Sequence, residues 1–248
     1  MKTKLLPFAL SFMALTAYAQ QKAGTFSITP KMGVTVSEYT GNSIAASMVC
    51  RIIPPTFVPP EQYFDKRVGE DYFDHNNKVG LVIGAEGEYH ITDMFGLSLG
   101  VFYAQEGANY KGEGFTSRDG IKVNVDNLKV NLDCITVPIL ANVYAWKGLA
   151  LKTGIQPEFV VGKKAKGDVT IEYDIPSYNE TTFEKPNVKS FSLSIPIGVS
   201  YEFKNVVADL RYSFGITNIR SEKHFFQNSH SGSAYNRVLS FTLGYKFQ

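Results

Sequence analysis

The chain of 248 residues contains only two cysteines, Cys50 and Cys134, so no disulfide framework can staple it. Its formal net charge of +2 offers no basic surface for nucleic acid, and none is expected as a partner. The one Gly-x-Ser-x-Gly spelling, Gly96-Leu97-Ser98-Leu99-Gly100, falls within an alternating strand segment and not at the strand-to-helix turn a nucleophile elbow requires, which removes the usual sequence warrant for a hydrolase. His75, His224 and His230 fall in polar connecting segments without a fixed ligand spacing, so neither a metal site nor a cofactor is expected. After residue 19 no uninterrupted apolar run approaches the roughly 18 residues of a transmembrane helix.

What is present begins with an export signal. Lys2 and Lys4 precede the apolar run Leu5 to Thr16, and Ala17-Tyr18-Ala19 forms a small-residue cleavage site. Residues 1–19 therefore read as a secretory signal peptide and residues 20–248 as one domain. Gln20, not a cysteine, follows the cut, which argues against a lipid anchor. With 44% hydrophobic and 13% aromatic residues, chiefly Tyr and Phe, the composition is that of strands and turns.

Apolar residues recur with period two along the mature chain, the spacing of strands with two different faces. Phe26 to Ser37, Val79 to Ile91, Phe95 to about Tyr110, Asn127 to Trp146, Leu149 to Val161, Phe191 to Phe203, Val206 to Thr217 and Val238 to Phe247 make eight such segments. In the last, Leu239, Phe241, Leu243, Tyr245 and Phe247 share one face and Ser240, Thr242, Gly244 and Lys246 the other. In the fourth, the apolar parity changes near Asp133-Cys134, which suggests a β-bulge.

Short turns at Thr92 to Met94, Lys147-Gly148 and Lys204-Asn205 alternate with long polar connections at Gly41 to Lys78, Gly112 to Asp126, Asp168 to Pro186 and Arg220 to Tyr235. This pattern predicts an all-β fold, an eight-stranded antiparallel up-and-down transmembrane β-barrel with four long outer loops and short periplasmic turns. It places the chain in the outer membrane with both termini periplasmic, and closes the barrel by pairing the last strand with the first. Tyr89, Tyr103, Tyr144, Tyr201, Phe203, Tyr245 and Phe247 are expected in the interfacial girdles. A soluble barrel of lipocalin type is the alternative, and it requires the apolar faces to point inward.

Several segments resemble the PorT-like outer-membrane β-barrel family of Gram-negative bacteria. They are Ile135-Thr136-Val137-Pro138-Ile139-Leu140, Gly154-Ile155-Gln156-Pro157, Arg211-Tyr212 leading to Gly215-Ile216-Thr217-Asn218-Ile219, and the stretch from Asn236-Arg237 to Tyr245-Lys246-Phe247. Thr136 stands where the family usually has glutamate, and Gln248 follows the aromatic residue on which such chains usually end. The resemblance implies an outer-membrane barrel, and in some members a part in protein secretion. Membrane lipid, and the barrel-assembly machinery during biogenesis, are then the expected partners.

The polar face carries Lys31, Glu86, Glu88, His90, Glu106, Lys152, Glu158, Glu202, Asp209, Arg211 and Lys246. Eight strands leave an interior just wide enough for side chains, so these groups are expected to pair in a salt-bridge network. Two readings of it stand: a structural ionic core, or a narrow path for protons or small ions. His90 with Ser98 or Ser200 supplies the only hint of a barrel-embedded lipid-modifying enzyme. In the first long loop, Pro54-Pro55 and Pro59-Pro60 stiffen a segment that displays Phe57, Tyr63, Phe64, Tyr72 and Phe73. These aromatics either contact a protein or small-molecule partner or fold over the barrel mouth.

Overall fold

The computed structural model describes residues 22–40, 73–112, 115–116, 122–146, 148–173, 175–182, 186, 188–220 and 233–248. The expected signal peptide and most of the first long loop lie outside these residues. The strands are β1 (Phe26–Thr40), β2 (Phe73–Asn76), β3 (Lys78–His90), β4 (Phe95–Gly112), β5 (Phe115–Thr116), β6 (Lys122–Thr136), β7 (Ile139–Trp146), β8 (Leu149–Tyr173), β9 (Ile175–Thr182), β10 (Phe191–Phe203), β11 (Val206–Gly215) and β12 (Tyr235–Tyr245).

Pairing runs β1–β3–β4, then through β6 and β7 to β8, then β10–β11–β12, and β12 returns to β1 over ten residue pairs. All of these pairings are antiparallel. β6 and β7 are two halves of one stave, interrupted at Val137-Pro138. Gly100 N donates to Pro138 O, and Val137 N to Pro157 O, so the wall continues across the break. The result is a closed ring of eight staves without a free edge. The start of β1 and the residues after β12 meet at one rim, where Phe247 bridges Ile28 beside the short turns.

The apolar faces point outward, contrary to the lipocalin alternative. On β1, Phe26, Ile28, Pro30, Met32, Val34 and Val36 face out before Glu38 begins a polar boundary. Ten residues at about 3.4 Å, tilted about 40°, give a band near 25 Å high, the thickness such barrels present to lipid. Near its upper edge the Tyr103 hydroxyl donates to Asp133 at 2.7 Å. Lumen-facing glycines let the strands coil around so small a circumference. At Gly33 a Cβ would lie 1.9 Å from the Phe241 carbonyl oxygen.

Three details differ from the sequence reading. A bulge does occur at Asp133-Cys134, but its extra residue is on the neighbouring β8, where the partner jumps from Gly162 to Val160 and leaves Val161 extra; β6 carries its own irregularity between Asp126 and Lys129. Inward parity on β8 accordingly changes from Lys152, Gln156 and Glu158 to Ala165 and Gly167. The apolar parity of β6 changes because Leu128, Val130 and Leu132 point inward, forming with Tyr39 and Ala165 an apolar cap at the outer end of the lumen. Second, β8 does not stop at Val161. It runs to Tyr173 and turns back as β9, so part of the expected loop from Asp168 is a hairpin. Above the lipid band Lys163, Lys164, Lys166 and Asp168 end the alternation, although backbone pairing with β6 persists.

Third, Tyr144 is not in a girdle. Its side chain is buried in the lumen, because on β7 it shares parity with Leu140 and Asn142, not with the outward Ile139, Ala141 and Val143.

Gly107 marks a separate irregularity, with φ at 147° in a region L side chains rarely adopt. Ser37 Oγ accepts from Gly107 N and donates to Gly107 O, both at 2.9 Å, and a Cβ would meet the Val130 carbonyl oxygen at 2.0 Å. Gly107→Ala is expected to cost about 2 kcal/mol. Urea titration of the refolded barrel checks this, and an unchanged midpoint would contradict it.

Candidate functional site

The staves bring their inward polar residues into three tiers. In the central tier, Glu86 and Asp209 are surrounded by Lys31, Lys152 and Arg211. Lys31 Nζ lies 2.9 Å from Glu86 Oε1 and 3.1 Å from Asp209 Oδ2. Lys152 Nζ spans the same two oxygens at 2.7 and 3.1 Å, and Arg211 Nη2 reaches Glu86 Oε2 at 3.1 Å and Asp209 Oδ2 at 3.3 Å. Strands β1, β3, β8 and β11 thus each contribute to one knot.

Nearer the short-turn rim, Lys246 Nζ sits 2.9 Å from Glu202 Oε2, 3.5 Å from Glu88 Oε2 and 3.4 Å from His90 Nε2. Asn142 Nδ2 and the Tyr144 hydroxyl both donate to Glu88 Oε1, at 2.6 and 2.7 Å. Four cations (Lys31, Lys152, Arg211 and Lys246) meet four anions (Glu86, Glu88, Glu202 and Asp209), all buried. Buried charge is tolerable only where it is paired and hydrogen-bonded. The equal count lets the charges of these two groups balance.

Glu158 does not join that network. It lies farther toward the outer end beside Glu106, one carboxyl oxygen of each within 4.8 Å of the other. Asn236 Nδ2 donates to Glu106 Oε2 at 2.6 Å and to the Glu158 oxygens at 3.4 and 3.3 Å, and the Cys134 thiol donates to Glu158 Oε1 at 3.7 Å. Among the described residues no lysine, arginine or histidine forms an ion pair with either carboxyl. Glu158 lies six residues beyond Lys152 along β8, farther toward the outer end than the central cations.

Sequence reasoning did not single out Asn142, Tyr144, Cys134 or Asn236 as lumen residues. Stave parity was the available signal for the first two. Parity also turns Asn236 inward with Ser240 and Thr242, but its partners, 130 and 78 residues away, are not marked locally. The Cys134 thiol is free and buried, whereas Cys50 lies outside the described residues, as do Phe57, Tyr63, Phe64 and Tyr72. Phe73 opens β2, opposite Gly112 of β4.

Two small cavities of about 10 and 30 Å³ interrupt the packing. The first touches Lys31, Glu86, Lys152 and Lys246; the second lies between Phe102, Glu106, Gln156 and Arg211. Volumes of this size hold about one or two waters, not a solute.

A closed ring with an apolar exterior and an ion-paired interior defines an integral outer-membrane β-barrel. The chain belongs to the family of the outer membrane protein beta-barrel domain, which it matches over residues 18–221, and its place is the cell outer membrane. It is similar to Ail, the attachment invasion locus protein of Yersinia pestis, with 12% identity, 91% of this chain and 99% of that chain covered, and a TM-score of 0.40. Neisserial surface protein A matches at 12% identity over 90% of this chain and 97% of that one, TM-score 0.41. OprG from Pseudomonas aeruginosa matches at 11% identity over 94% and 100%, TM-score 0.39. No curated protein matches the chain.

Proposed function

We propose that the protein is a non-enzymatic barrel of PorT-like type that serves a structural or binding role through its outer end, in some settings as an accessory to protein secretion. The observation that carries this reading is the filled lumen. Its balanced knot of eight charges, with water-sized cavities beside it among the described residues, supports a packed core over a conduit. Staves that stand above the lipid band support the same reading. β8 continues for twelve residues past Val161, braced by β6 and β9, which gives adjoining loops a rigid base. His90 is wholly buried among Glu88 and Lys246, away from lipid, which speaks against a lipid-modifying site.

The test is photocrosslinking in intact outer membranes, comparing the full chain with a variant in which residues 42–71 are replaced by a short Gly-Ser linker. Partners captured by the full chain are expected to be lost from the variant; an unchanged set would overturn the loop-binding reading. In planar bilayers the purified barrel is expected to pass no current above that of the bare membrane. A steady conductance sensitive to Arg211→Ala would instead establish the narrow ion path.

A further inference from the structure

The upper tier of the lumen gathers three metal-ligating groups where no described cation pairs with them. Glu106, Cys134 and Glu158 are 1, 0 and 3% exposed, and one ligand atom from each lies within 4.8 Å of the other two. They stand on the neighbouring staves β4, β6 and β8. From β12, Asn236 points its amide into the same space, with Nδ2 against both carboxyls.

Asn236 is also the independent pointer to a ligand. It is 4% exposed, and its buried Oδ1 has no hydrogen-bond partner among the described residues. A half-turn of the amide exchanges Oδ1 with Nδ2 and brings a neutral oxygen to the carboxyls. Tyr39, opposite Asn236 on β1, also buries a hydroxyl that has no hydrogen-bond partner among the described residues. An acceptor-rich site with orphaned oxygens is better matched to a cation than to an anion or an apolar ligand.

We propose that Glu106, Cys134 and Glu158, completed by Asn236 Oδ1, bind a thiophilic divalent cation, zinc being the physiological candidate. Magnesium and calcium take all-oxygen shells, whereas zinc accepts sulfur and oxygen together in a four-coordinate site. Bonds of about 2.0–2.3 Å place ligand atoms roughly 3.5 Å apart, so the 4.8 Å limit closes with small side-chain adjustments. On binding, the thiol proton and any proton carried by the carboxyls leave to solvent. The bound site then carries one formal negative charge. Lys78 stands next to it, its Nζ donating to the Glu106 backbone carbonyl at 2.7 Å.

The site lies beneath the cap of Tyr39, Leu128 and Val130, so the ion is best introduced during refolding. The full chain carrying Cys50→Ser, which leaves Cys134 as its sole thiol, is refolded in detergent with zinc or cadmium and freed of loose metal by gel filtration. The expected result is one ion per chain, an ultraviolet thiolate-to-cadmium band, and a zinc-dependent rise in the unfolding midpoint. Adding Cys134→Ser is expected to abolish the band, and Glu158→Gln to weaken zinc binding by about tenfold or more. Heat-modifiable gel migration verifies that each variant is folded. A folded barrel that retains no metal and unfolds at the same midpoint with or without zinc would overturn the proposal, leaving a buried carboxyl pair. A band that survives Cys134→Ser would overturn it equally.

Discussion

Glu86→Ala is expected to destabilise the barrel by about 3–5 kcal/mol or to prevent its refolding, because it leaves three buried cations around one carboxylate. Lys31, Lys152 and Arg211 would face Asp209 alone. A double variant, Glu86→Gln with Lys152→Gln, removes one charge of each sign. It is expected to be more stable than the sum of the single losses implies, by about 0.5–3 kcal/mol. Trp146, the single tryptophan, is 59% exposed at the short-turn rim and reports unfolding directly. A Glu86→Ala barrel within about 0.5 kcal/mol of the parent, the scatter of an ordinary surface substitution, would show that the knot contributes little.

Met32→Arg probes the outer surface. Met32 is 65% exposed at the middle of the apolar face of β1, and arginine there is expected to cost about 2–4 kcal/mol in a bilayer. Val36→Arg, placed beside Glu38 at the polar boundary, is expected to cost only about 0–1 kcal/mol. The comparison is one of refolding yield and urea midpoint in lipid vesicles. Equal, small effects at the two positions would mean that this face does not meet hydrocarbon.

The fold was legible because lipid and lumen impose opposite demands on alternate residues. Phe191 to Phe203 keeps that alternation throughout, and the strand in the structure has the same bounds. Legibility fails where one demand relaxes. Above the hydrocarbon Lys163, Lys164 and Lys166 can face water, so period two vanishes although β8 continues. On β6 an apolar cap replaces polar lumen residues, and inward Leu128, Val130 and Leu132 look like outward ones. The inward placement of the charges followed from the same parity, but their grouping did not. Glu158 and Lys152 differ by an even number of residues on one strand, yet only Lys152 reaches Glu86 and Asp209. That division depends on height in the lumen and on neighbours supplied by distant staves.

The knot also sets a schedule for assembly. Lys31 and Asp209 are 178 residues apart, and Arg211 and Glu86 125, so any sheet lacking either its first or its later staves carries charges without their full set of partners. Such an intermediate must keep its inner face hydrated until β11 and β12 arrive. Dehydration of the lumen is therefore coupled to the meeting of β1 with β12, late in a topology whose long-range pairings already make folding slow. Premature exposure of an open sheet to hydrocarbon would strand these charges, which makes ring closure the committing step of insertion.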